Sequence, residues 1–149
     1  MVSFIKGVIG GIAATLAMSG VMAIGKAMGW MEQPPPKQIT AHAEKKVGIS
    51  PRNQPKPIFA MSWLVSHFGY GTMCGVIFSV IWRRWVRIPG TGLVYGLVVW
   101  AISYLGLMPA LRLYPAAPHD RRSREIVLVV GHEVYGGTLE LVHRLLPLR

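Results

Sequence analysis

Cysteine is nearly missing from this 149-residue chain and acid is scarce, with one Cys and six Asp and Glu set against sixteen Lys and Arg. A single thiol, Cys74, excludes a disulfide framework and any zinc site built on Cys pairs, and leaves a small apolar packing role as the expectation for it. Charged residues make up only 15% of the chain, too few for an ordinary soluble domain. A phosphate-binding glycine loop, a nucleophile elbow and a Cys-x-x-Cys pair are also absent. With no assembled catalytic set, a non-enzymatic protein is expected.

What the chain has is apolar length. Hydrophobic residues reach 52%, and the runs Gly7 to Gly25, Pro57 to Trp82, Ile88 to Leu111 and Ile126 to Leu139 carry almost no charge. A bilayer core takes roughly 20 residues of helix, so the sequence predicts an all-α integral membrane protein with four transmembrane helices over about 4–28, 58–82, 91–111 and 124–146. Glu133 and Glu140 interrupt the fourth. Lys6 before an apolar stretch imitates a secretory signal, but the first span matches the third and is expected to be retained.

The formal charge of +10 is concentrated at the ends of the apolar runs, where it suits anionic lipid headgroups and not nucleic acid. Trp30 and the stretch from Trp82 to Arg87 read as interfacial anchors. Lys and Arg divide ten to six between the side of the first and third loops and the opposite side, yet the densest cluster lies in the short second loop, so orientation stays open. The polar loop over 32–56 opens with Pro34, Pro35 and Pro36 and closes with Pro51, Pro55 and Pro57. Extended backbone is expected at both ends, with a short helix between Gln38 and Val47 placing Ile39, Ala43 and Val47 on one face. That segment is either a solvated connector or a helix lying on the headgroups.

The pattern His-x-x-Tyr-Gly occurs twice, at His67, Tyr70 and Gly71 and at His132, Tyr135 and Gly136. Spacings of three and four put each set on one helix face. Small residues at Gly7 and Gly11, and again at Gly92 and Gly96, allow helix backbones to approach closely in lipid. Aligning Gly7 with Gly92 and Gly11 with Gly96, and superposing the two His motifs, makes the four spans two copies of one helix hairpin. Both copies then enter from the same side, a parallel repeat.

The Gly-rich GVIGGIAATLAMSGVM, the GHEVYGG of the last span and the four-span layout resemble the YagU-like family of small bacterial inner-membrane proteins of unknown function. The resemblance implies a multi-pass protein of the bacterial inner membrane and no assigned reaction.

An ionisable group in hydrocarbon is a functional candidate by default. His67 and His132 are candidates to hold haem iron or a metal together; alternatively each hydrogen-bonds a neighbouring helix. No third ligand is obvious, and no cofactor is expected. Glu133 would be protonated, paired with Arg112 or Lys26, or part of a proton route. His132-Glu133 lacks the second His of a zinc protease motif. Glu140 and His143 reproduce only one of the two Glu-x-x-His copies of a di-iron bundle, and an ion pair from Glu140 to Arg144 is the simpler expectation. The leading expectation is an accessory, assembly or stabilising subunit that packs against other membrane subunits or itself. The alternative is a small carrier, channel or cofactor protein using His67, His132 and Glu133.

Overall fold

A computed structural model describes residues 2–85, 87–114 and 120–146. Pro115, Pro118, His119 and Arg149 lie outside the described residues. The described chain is all helix and turn: α1 (Val2–Ala27), α2 (Pro35–Lys46), α3 (Lys56–Trp82), α4 (Thr91–Ala110) and α5 (Arg122–Leu145). By length and composition α1, α3 and α4 are able to cross a membrane. α5 is as long, but Arg124, Glu125, Glu133, Glu140 and Arg144 lower its apolar character. α1, α3, α4 and α5 begin and end within two residues of the four expected segments.

The closest helix pairs are α1 with α3, α1 with α5, and α4 with α5. Glycine makes two of these possible. A Cβ on Gly11 would sit 2.7 Å from the Thr72 Cα, and one on Gly75 would sit 2.6 Å from the Gly11 Cα. On the other side, Cβ atoms on Gly96 and Gly136 would collide with the backbone of His132 and Gly92, respectively. These pairs match under the hairpin alignment, Gly11 against Gly71 corresponding to Gly96 against Gly136. A third correspondence was not visible in the motifs. Gly10 approaches Leu139 and His143, while its counterpart Tyr95 donates to the Cys74 carbonyl at 2.6 Å and packs on Phe78. The glycine contacts thus recur between α1 and α3 and between α4 and α5, but the likeness is partial: α1 packs closely on α5, whereas the corresponding pair, α3 and α4, stays apart.

Two local expectations are corrected. Of the prolines at 34–36 only Pro34 is extended, at φ −58° and ψ 135°; α2 begins at Pro35, because a first-turn residue needs no N–H donor and proline's fixed φ already suits a helix. The predicted face holds in part: Ile39 and Ala43 are half-buried on the bundle side with Pro35 and Thr40 buried beside them, but Val47 lies past the end of α2 and is exposed. The general expectation that an interior proline makes one sharp kink in its helix does not hold at Pro109 either. The helix widens to π geometry over Ala101–Leu107, with the Met108 N–H bonded to the Ser103 carbonyl. The disturbance is spread over the turns before the proline, where carbonyls lose their usual donors.

Candidate functional site

Between α3 and α4 the backbones are held apart by side chains: Tyr95 on Cys74, and the Tyr70 hydroxyl 2.6 Å from the Ser103 hydroxyl. The gap is a cavity of about 920 Å³ to which all five helices contribute, near the upper end of the roughly 300–1,000 Å³ usual for ligand pockets. Its outer part is apolar, walled by Met18 and Met22 of α1, Ile39 and Ala43 of α2, Met61 of α3 and Met108 of α4. Its inner end carries His67, Tyr70, Ser103 and His132. Beyond them the interior is filled by Tyr135, Phe78 and Leu139, each 2% exposed or less. The cavity therefore reaches from the α2 end to about mid-helix and stops.

Both imidazoles are held by one nitrogen. His132 Nδ1 lies 2.7 Å from the Leu128 carbonyl, which can only accept, so in the neutral ring Nδ1 carries the proton and Nε2 keeps a lone pair. His67 Nε2 lies 3.1 Å from the Ser19 hydroxyl. That hydroxyl donates its hydrogen to the Thr15 carbonyl at 2.8 Å, so His67 Nε2 donates and Nδ1 keeps a lone pair. The two histidines thus divide the expected roles. His67 ties α3 to α1, whereas His132 bonds its own helix and ties nothing together.

The two tyrosines differ as well. Tyr135 is buried and donates to the Gly71 carbonyl at 2.5 Å, joining α5 to α3 at the first motif. Tyr70 faces the cavity. Cys74 is buried as expected.

Glu133 is not on the cavity. It lines a shallow outer groove with Leu93, Val134 and Gly137, and the expected partners Arg112 and Lys26 do not reach it. They sit at the helix ends next to the loops, about two turns or more from the depth of Glu133. Glu140 pairs with Arg144 at 2.6 Å as expected, but has a second task that spacing did not reveal. Its carboxylate accepts from the Gly92 N–H at 2.7 Å and the Gly90 N–H at 3.3 Å, capping the start of α4, where the helix dipole favours a negative group. No group of three or more His, Cys, Asp or Glu is gathered among the described residues.

At the mouth, Asp120 accepts from Tyr104 at 2.9 Å and Tyr114 at 3.2 Å and pairs with Arg124 at 3.3 Å. Burial pushes the Tyr114 phenol above its ordinary range, with Arg124 working against that shift and Asp120 with it. Lys46 at the end of α2 donates to the Leu111 carbonyl at 2.6 Å, fastening α2 to the end of α4.

A family model described as a protein of unknown function, DUF1440, matches residues 21–141. The chain belongs to the DUF1440 family. No curated protein and no solved structure matches it. The DUF1440 match takes in the last two turns of α1 and nearly all the cavity wall, along with both His-x-x-Tyr-Gly motifs, but not Gly7 or Gly11.

Proposed function

We propose that this DUF1440 protein is a non-enzymatic membrane protein of the carrier or ligand-holding class, working through the cavity between α3 and α4. The observation that carries the reading is a large apolar space ending on two imidazoles and a tyrosine–serine pair, a few convergent polar groups in an apolar wall. Four crossings belong to the proposal. In support, α5 runs antiparallel beside α1 from Gly25 against Val127 to Gly10 against Leu139, so it shares the depth of a helix able to span. Location in the bacterial inner membrane, with anionic headgroups around the basic loop ends, rests on the likeness to YagU-like proteins and on the charge distribution. Haem or metal held by His67 and His132 is a weaker form of the same reading, since two imidazoles need further ligands.

The test is to purify the protein from its native membrane and extract it for mass spectrometry and metal analysis. One apolar species enriched near stoichiometry, and lost on filling the cavity with Ala43→Trp, is the expected result. An extract that matches bulk lipid for both proteins would sink the reading.

The accessory-subunit reading keeps one observation in its favour. The glycine faces are engaged inside the molecule, but Glu133 sits in its outer groove with no hydrogen bond or ion pair among the described residues. An unpartnered carboxylate at that depth is costly, and a polar group from a second copy or another subunit would relieve it. Under this reading Glu133→Leu changes the size of the detergent-solubilised particle.

A further inference from the structure

We infer that the ligand of this cavity is a long-chain lipid with an uncharged, hydroxyl-bearing head, bound head-inward against His132. The inference rests on the cavity being a binding site, as proposed above, and adds which chemistry it selects.

Charge is the first discriminator. Among the described residues no Lys or Arg lines the cavity, and the one charged side chain there, Glu44, already accepts from Gln54 Nε2 at 2.9 Å. A phosphate or carboxylate head would enter an apolar space with no counter-ion, at a desolvation cost that nothing there offsets. A cationic head would meet imidazoles and hydroxyls at the inner end, none of them anionic. A neutral head remains.

Hydrogen-bond direction is the second. With Nδ1–H committed to Leu128, His132 Nε2 is an acceptor without a partner among the described residues, and His67 Nδ1 is in the same position. Both ask for a ligand that donates, and a hydroxyl does so where a ketone or ester does not.

An unpartnered donor is the third. Trp100 Nε1 is buried without a hydrogen-bond partner and lines this cavity, where it would donate to the ligand oxygen; Thr40 Oγ1 is also buried and unpartnered, but on α2 at the outer end, out of reach of a head held at His132. A long-chain alcohol and a quinol share the required chemistry.

Trp100 provides the readout. The protein in nanodiscs is titrated with 2-bromododecan-1-ol, 2-bromododecyl phosphate and 2-bromododecane, whose bromine sits beside the head and so next to Trp100 in the proposed pose, with the Trp100→Phe variant giving the fluorescence loss that Trp100 does not cause. Saturable Trp100 quenching by the alcohol, at a mole fraction at least tenfold below that for either other probe, is expected, with His132→Ala weakening the alcohol about fivefold and leaving bromododecane unmoved. Equal or stronger quenching by the phosphate overturns the neutral head while leaving the cavity a binding site. Equality of bromododecane and the alcohol overturns hydroxyl recognition. No Trp100-dependent quenching by any probe overturns both this inference and the cavity reading. If the alcohol binds, reduced decylubiquinone competing better than dodecanol assigns the head to a quinol, and the reverse order to a simple alcohol.

Discussion

Glu140 shows how much one side chain decides in an apolar interior. It is 8% exposed and joins α5 to the first turn of α4 through two backbone N–H groups, besides pairing with Arg144. Replacing it with Ala leaves those N–H groups in a buried site with no acceptor. The expected loss is about 3 kcal/mol, the order of two charge-assisted hydrogen bonds. Arg144 is the control: its side chain is 41% exposed, so solvent screens the pair, and Arg144→Ala costs about 0.5 kcal/mol. Thermal unfolding in detergent compares the two, and equal losses would show that the ion pair matters and the helix cap does not. Sequence spacing reveals the pair and hides the cap, because an i,i+4 relation is local whereas the approach of Gly92 to Glu140 exists only after two helices have met.

At the level of elements, the glycines divide into those that touch and those that do not. Gly11→Ala and Gly96→Ala each place a methyl against a facing backbone, which cannot rotate aside as a side chain can, and are expected to cost about 1–3 kcal/mol or to prevent folding. Gly20 has nothing within 4 Å of a would-be Cβ, and Gly20→Ala is expected to stabilise by about 0.5–1 kcal/mol through helix propensity. Detergent-unfolding midpoints order the three, and a destabilising Gly20→Ala would contradict this account. That Gly7, Gly11, Gly92 and Gly96 are places of close approach was legible from the G-x-x-x-G spacing, whereas which helix each one meets was not. The π-helical turns of α4 and the proline start of α2 were not legible either, since proline reads as a breaker unless the first helical residue is already known.

Across the whole molecule, the termini of the described chain and the turn at 87–90 fall at one end, with α2 and the segments around Arg52 and Arg121 at the other. On a Cys74→Ala background, Arg52→Cys and Arg121→Cys are expected to label from one side of sealed vesicles with an impermeant maleimide, and Arg87→Cys and Leu145→Cys from the other. Leu145→Cys labelling with Arg121→Cys would show that α5 lies on the membrane and does not cross it. This layout follows from the apolar runs alone. The cavity did not, because the sequence shows which faces are apolar but not which of them stay apart, and it is Tyr70, Tyr95 and the widened α4 that keep α3 and α4 from closing.

The likeness of the two hairpins has a limit with consequences of its own. The first carries α2 in its connection and the second has no such insert among the described residues, so a body that begins as two similar halves acquires a front and a back. Behind the histidines, Tyr135, Phe78 and Leu139 form a stopper. On the proposed function, that stopper closes the way to the far end, so a ligand would enter and leave on the α2 side or through the gap between α3 and α4, and never pass end to end.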